Sequence, residues 1–388
     1  MMTTKTLAFM AAVCCLAACR PSIPTDAQDI GELPGIYPDY IDVTVPQNIA
    51  PLTFHIDNAG DDFVCAYTKG EQQIVTAGAD AVPDVDAWRE LVAGGGDVTV
   101  DVYIQRAGKW KHAKPFAIHV VEDEIDPYLT YRLIQPSYVA FEDLTINQRN
   151  ITSWDEREVY NTRLTSTEAN GQCINCHSFQ NYDGERMQFH ARASLGGTII
   201  IRDGKGIKMN LKTDSTIAAG VYPSWHPTLP LIAYSTNKTG QPFHNRDQQK
   251  VEVQDTQSDL LLYDVEHQEL HSIKGGADDL ECFPWWSPDG KQLYYCSAHY
   301  VFKDTAKMDY DMMLRYKEVK YDILRRDFDA STLTFSAPDT IFRASADSMS
   351  ATVPRISPDG RYLLVTLGEF GVFHIWHKDA DLYLIDLA

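Results

Sequence analysis

Nowhere in the 388 residues is there an apolar run approaching the ~20 residues that a membrane-spanning helix requires. Positive charge is also scarce. Lysine and arginine total 34 against 54 aspartates and glutamates, a formal net charge of −20. A surface this acidic repels phosphate backbones, which argues against nucleic acid as a partner and against a basic patch for anionic lipid. The eight cysteines form no disulfide framework. Cys14, Cys15 and Cys19 crowd the start, Cys173 and Cys176 make one close pair, and Cys65, Cys282 and Cys296 are scattered. No Ser-His-Asp, paired-carboxylate or metal-hydrolase arrangement rises above chance. What remains is an ordinary globular composition, 44% hydrophobic and 23% charged, in a chain long enough for two or three domains.

Met1 to Lys5 is weakly basic, and the apolar run Leu7 to Leu16 behind it has the length of a secretory h-region. It ends in Leu16-Ala17-Ala18-Cys19, which resembles the lipobox of bacterial lipoproteins. The resemblance implies a signal peptide over residues 1–18, cleavage before Cys19, and diacylation of the Cys19 thiol. The chain would then be anchored to a membrane through Cys19 with its bulk in water. An ordinary signal peptide with an incidental cysteine is the alternative. Arg20 stands where some bacteria place a retention aspartate, so the expected location is the cell envelope, at the outer membrane facing the periplasm or the surface. Residues 19–40, with Pro21, Pro24 and Pro34, read as a tether.

Over residues 41–125 the runs Leu52–Ile56, Val98–Ile104 and Phe116–Val121 alternate and are rich in β-branched residues, the pattern of half-buried strands. One helix is predicted between them. Asp84 would cap it, Val85, Trp88, Leu91 and Val92 would share its inner face, and Gly94-Gly95-Gly96 would stop it. A small β-sandwich of immunoglobulin type is expected here.

Further along, the sequence repeats. Pro284-Trp285-Trp286-Ser287-Pro288-Asp289-Gly290 and Pro354-Arg355-Ile356-Ser357-Pro358-Asp359-Gly360 each lead into an apolar strand, and Pro223-Ser224-Trp225-His226-Pro227 is a degenerate copy. Proline presets φ in the turn, aspartate bonds back to the backbone, and glycine takes the left-handed position, so each copy predicts a tight hairpin. A second strand with an acidic end follows each copy, closing on Asp264, Asp327 and Asp386. These units resemble the blades of TolB-like, WD-repeat-like β-propellers. The resemblance is clear over about 221–388 and fainter at Tyr128–Ile134 and Gly197–Ile201. Its implication is a mainly β chain: a small N-terminal β-sandwich, then a propeller over 126–388. The copies stand 61 and 70 residues apart, against roughly 40–45 for regular blades, so long polar loops are expected in 237–257 and 299–320. The last strand ends at Ala388, which leaves closure of the ring open.

Gly171-Gln172-Cys173-Ile174-Asn175-Cys176-His177 holds a Cys-x-x-Cys-His segment. On a helical turn, positions i, i+3 and i+4 project to one side. Two thiols would then reach the two vinyl groups of one haem, with the imidazole beneath the iron. The segment resembles the attachment site of c-type cytochromes at all three positions, which implies one covalent haem c on Cys173 and Cys176 with His177 as axial ligand. A short helical haem-binding insertion over about 165–195 is therefore expected within the propeller. A thioredoxin-like pair would need a βαβ setting that the polar flanks do not supply, and zinc would need a second ligand pair. A disulfide across this spacing is strained and leaves the histidine unexplained. Met187 and His190 are the candidate sixth ligands, with His190 preferred; core packing and a surface hydrogen bond are their ordinary alternatives. Arg186 and Arg192 either pair with haem propionates or make solvated salt bridges. His226 and Trp285-Trp286 read as structural. Placing the turn centre between them sets Cys282 opposite Tyr295, which speaks against a Cys282–Cys296 disulfide.

Two functions follow. The first is a membrane-anchored, single-haem electron carrier whose propeller docks a protein redox or envelope partner. The second is a TolB-like module binding a protein or polymer, with haem as a staple or sensor. A peroxidase-like haem enzyme is a weaker third.

Overall fold

The computed structural model describes residues 21–134, 143–167, 171–247 and 249–388; Cys19 lies outside them. The chain divides into two compact units, Met1–Tyr131 with Asn147–Glu158, and Arg132–Ile146 with Val159–Ala388.

The first unit is built from β1 (Gln28–Asp29), β2 (Ile36–Tyr37), β3 (Thr44–Pro46), β4 (Phe54–Ile56), β5 (Asp62–Lys69), β6 (Gln72–Ala77), β7 (Asp80–Ala81), α1 (Val85–Val92), β8 (Gly96–Arg106), β9 (Lys109–His112) and β10 (Phe116–Val121). One sheet runs β1-β9-β8-β10-β3, with β5 also on β8 and β6 on β5; a smaller one runs β2-β4-β7. Both contribute to one core with α1, in keeping with the expected sandwich. The stretch expected as a tether is instead part of it. Gln28–Asp29 pairs in parallel with β9 and Ile36–Tyr37 pairs with β4, because backbone groups that reach a sheet edge are satisfied there.

Helix α1 is the predicted one. Asp84 accepts hydrogen bonds from the amides of Asp86 and Ala87 at 3.1 and 3.0 Å. Trp88, Leu91 and Val92 are buried on the inner face, where Trp88 meets the edge of Tyr67 at 5.8 Å and donates its indole N–H to the Ile49 carbonyl. Asp84→Ala is expected to lower stability by about 1 kcal/mol. Urea unfolding of the full chain would read this as a lower midpoint with an unchanged slope.

A three-stranded sheet follows in the chain, made of β11 (Tyr128–Leu133), β12 (Thr145–Asn150) and β13 (Glu156–Asn161) in that order. The second unit then continues as antiparallel meanders. They are β14 (Ile174–Gln180), β15 (Asp183–Ala191), β16 (Gly197–Arg202) and β17 (Lys205–Met209); then β18 (Val221–Trp225), β19 (Leu231–Gly240), β20 (Gln254–Asp264) and β21 (Glu269–Ile273). Next come β22 (Asp279–Trp286), β23 (Gln292–His299) and β24 (Asp322–Asp329), with β25 (Thr334–Phe335) and β26 (Asp339–Phe342) both on β24, and last β27 (Ser350–Ile356), β28 (Tyr362–Gly368) and β29 (Asp381–Asp386). The first strands β14, β18, β22 and β27 contact one another in succession, and apolar clusters fill the spaces between neighbouring sheets. This is propeller-blade architecture, and the fold is mainly β as the sequence implied. Of the two expected loops, 299–320 carries the short helix α2 (Met308–Arg315).

Turn chemistry at the repeats is as predicted. Ser287 donates to Asp289 at 2.7 Å, the Gly290 amide returns to the Ser287 carbonyl at 2.9 Å, and Gly290 has φ 71°. A side chain on Gly290 would also strike the His226 ring. His226 itself is structural: its Nε2–H donates to the Gly290 carbonyl at 3.0 Å while Nδ1 accepts from the amides of Thr228 and Leu229. Trp286 packs between sheets and donates to the Ser224 carbonyl at 3.1 Å.

A two-on-one bulge recurs in every first strand, with register shifts at Asn175/Ser178, Val221/Ser224, Cys282/Trp285 and Thr352/Arg355. The residue opening each bulge is left-handed: Cys176, Tyr222, Phe283 and Val353 have φ between 51° and 55°. Turn and bulge together correct the expected register. The turn sets Trp286 opposite Leu293, from which straight counting would put Cys282 opposite Ser297; with one residue taken up in the bulge it faces Cys296, not the expected Tyr295.

Candidate functional site

The Cys-x-x-Cys-His segment lies on β14, not on a helix, and residues 174–191 form the β14–β15 hairpin. The expected helical insertion is therefore corrected to a strand pair. The physical reason is that this segment is a fourth copy of the hairpin repeat. Cys176-His177-Ser178 occupies the bulge that Phe283-Pro284-Trp285 occupies on β22, while the hairpin turns at Asn181-Tyr182, with φ of 45° and 63°, and Asp183-Gly184 already belongs to β15. This hairpin lacks the Pro-Asp-Gly turn of the other copies, which hid the match in the sequence.

Strand alternation sorts the candidate ligands. Asn175 is directly opposite His190, and the Arg192 amide donates to the Cys173 carbonyl at 2.8 Å. Cys173, Asn175, His190 and Arg192 therefore share one face. All four line a cavity of about 640 Å³, joined by Tyr222 and Phe373. That volume lies within the ~300–1,000 Å³ typical of cofactor sites. Ile174 and Ala191, between them in sequence, turn to the opposite face and its apolar cluster.

Met187 is separated from this cavity. At i and i+3 two residues share a helix face, but on a strand they lie on opposite faces. Met187 is buried opposite Phe179 and Ile201 and does not line the cavity. His190 does, with Nδ1 at 3.2 Å from the Thr198 hydroxyl. Burial, reinforced by the Arg192 charge, pushes the His190 pKa down to about 4, so its imidazole is neutral at neutral pH. The Cys173 thiol is pushed up by burial, against the opposing pull of Arg192. Arg132 donates to Asn175 at 2.6 Å on the same wall.

Cys176 and His177 sit on the bulge and are not part of the cavity lining. The Cys176 carbonyl accepts from the Gln188 side chain, whose oxygen in turn accepts from the Tyr234 hydroxyl at 3.2 Å. The His177 ring meets the Phe179 ring edge-on at 6.2 Å between centroids. Cys173 and Cys176 are both free thiols, and the nearness of Cys176 adds to the upward push on the Cys173 thiol. Arg186 is drawn to Asp183 and Asp203, each at 3.7 Å, and is absent from the cavity lining; of the two arginines only Arg192 lines it. β14 and β15 are antiparallel, which is not the βαβ setting of a thioredoxin-like pair. Among the described residues no group of three or more His, Cys, Asp or Glu side chains is arranged to hold a metal ion.

The cavity therefore presents one thiol, Cys173, and one neutral imidazole, His190, while the second thiol and the second imidazole, Cys176 and His177, stand on the adjoining bulge.

No protein-family model matches the chain, and no curated protein matches it. Solved structures similar to parts of it include the tricorn protease, at 11% identity over 75% of this chain and 32% of that one, with a TM-score of 0.33. A Niastella koreensis GH74 enzyme is similar at 8% identity over 54% of this chain and 38% of that one, TM-score 0.27. The C-terminal WD40 domain of Sif2 is similar at 9% identity over 75% of this chain and 90% of that one, TM-score 0.24. The chain thus spans about a third of the length of the tricorn protease chain and under two fifths of the GH74 enzyme.

Proposed function

We propose that this chain is a membrane-anchored, single-haem c-type electron carrier of the cell envelope, tethered through an acylated Cys19 and docked to its redox partner by its blades. The observation that carries the reading is the Cys-x-x-Cys-His segment at 173–177 beside a cavity that His190 also faces. Haem, when bound, supplies reversible one-electron transfer at its iron. The chain's part is to hold it. Cys173 and Cys176 would hold it through thioether bonds, and His177 and His190 would supply nitrogens to its iron. Burial keeps the His190 nitrogen unprotonated, and Arg192 places a positive charge on the same wall, suited to a carboxylate. A pair of imidazole ligands gives a lower potential than imidazole with methionine.

The second reading, a TolB-like binding propeller in which haem is a staple or a sensor, draws on the same blades. The two separate on spectra. Six-coordinate low-spin haem supports electron transfer, whereas high-spin haem that takes up added ligands supports sensing or peroxidase-like chemistry.

The test of the haem itself is expression with a c-type maturation system, followed by intact mass and pyridine haemochrome. One haem per chain, retained after denaturation, is expected. A colourless mature protein with the Cys173 and Cys176 thiols free or joined to each other would end the electron-carrier reading.

A further inference from the structure

In each sheet that carries the bulge, one pair of residues stands directly opposite across the first two strands, just ahead of it. The pairs are Asn175 with His190, Val221 with Ser235, Cys282 with Cys296, and Thr352 with Thr366. The blade thus accepts an amide with an imidazole, a branched alkyl with a hydroxyl, or two threonines here, and does not itself call for sulfur. Only on β22 and β23 do two cysteines fill the position.

Directly opposed residues of an antiparallel pair have Cα atoms about 4.5–5.5 Å apart. That lies within the ~4.4–6.8 Å over which a disulfide closes without backbone movement. Both side chains leave the sheet on the same face, and the Cys282 thiol is in hydrogen-bonding contact with that of Cys296. The two are fully buried, in one apolar cluster with Leu280, Tyr321 and Ile323. Among the described residues no other cysteine faces a second one across strands. Cys65 is opposite Thr76 and Val102, and Cys173 and Cys176 lie on one segment of chain.

We propose that Cys282 and Cys296 close a disulfide across the β22–β23 hairpin as the chain folds. The oxidant is itself a disulfide, on a small molecule or on a protein. One cysteine thiolate attacks it to form a mixed disulfide, and the sulfur of the other displaces the leaving thiol. One S–S bond forms and one breaks; the chain loses two protons and two electrons, and the oxidant leaves as two thiols. The exchange belongs to the open hairpin. In the closed fold, burial holds the Cys282 thiol well above its ordinary range, with Cys296 adding to the push, and a protonated thiol does not exchange. The inference uses none of Cys173, Cys176, His177 or His190, and it stands or falls apart from the haem.

The test is to reduce the full chain in urea, refold it in oxidised and reduced glutathione, and block free thiols with iodoacetamide. The folded fraction is then digested with trypsin without reductant. Cleavage after Lys274, Lys291 and Lys303 places Cys282 in 275–291 and Cys296 in 292–303, each with no other cysteine. The two peptides are expected as one linked species, lighter than their sum by two hydrogens, which reducing agent separates. Closing this short loop constrains the unfolded chain, so the urea midpoint should be higher without reductant than with it. That difference should vanish in Cys282→Ala combined with Cys296→Ala. Recovery of the wild-type peptides singly, alkylated or carrying glutathione, would overturn the inference. So would their linkage to the peptides that hold Cys65, Cys173 or Cys176.

Discussion

Cys173→Ala combined with Cys176→Ala is expected to abolish covalent haem completely, leaving a mature chain that is colourless after acid extraction and lighter by one haem. Either single substitution leaves at most one thioether, so haem yield should fall steeply in both. The fold should survive. Cys176 is held at φ 55°, a left-handed conformation whose cost arises at Cβ. Alanine carries the same Cβ, so the bulge loses no backbone preference on substitution. Cys173 is only partly buried, and shortening it removes one sulfur from a cavity wall rather than from a close-packed core. Far-UV circular dichroism and the unfolding midpoint of the apoprotein should therefore match those of unmatured wild type. Haem that remains attached through the double substitution would mean that the thiols of 173 and 176 are not its anchors.

The parts of this molecule that could be read from sequence are those fixed by residues close together in the chain. Asp84 satisfies amides two and three residues away, and Trp88, Leu91 and Val92 fall on one helical face, so the helix was legible in its limits and in its buried side. Ser287-Pro288-Asp289-Gly290 closes its own turn, so the hairpins were legible too. What escaped depends on pairing across long separations. Gln28–Asp29 is two residues of strand whose partner is Lys111–His112, and nothing in its own composition distinguishes it from a tether. The place of the turn and a bulge together set Cys282 opposite Cys296 rather than Tyr295, and the same kind of bulge turned Cys176 and His177 out of the regular alternation. Carried on a strand, the spacing of three between Met187 and His190 means opposite faces, where a helix would have meant one. The chemistry of the candidate site was legible as residue types; its geometry required the register of β14 on β15.

That register yields the sharpest prediction about the sixth iron position. With haem attached, His190→Ala is expected to convert a low-spin spectrum to a high-spin one, and added imidazole should restore the low-spin form by entering the space the side chain leaves. Met187→Leu should leave the spectrum as it was, because Met187 packs on the other face against Phe179 and Ile201. The two substitutions also differ in what they do to the fold. Leucine for a buried methionine conserves volume and costs less than about 1.5 kcal/mol. Removing His190 deprives the buried Thr198 hydroxyl of its partner at 3.2 Å, at a cost of about 1–3 kcal/mol. A lower unfolding midpoint in His190→Ala is thus expected whether or not the ring binds iron, and stability alone does not discriminate. Spin state and imidazole rescue do. An unchanged low-spin spectrum in His190→Ala would remove His190 from the ligand set, and loss of the low-spin form in Met187→Leu would mean that the haem face of this hairpin is the one opposite to the cavity.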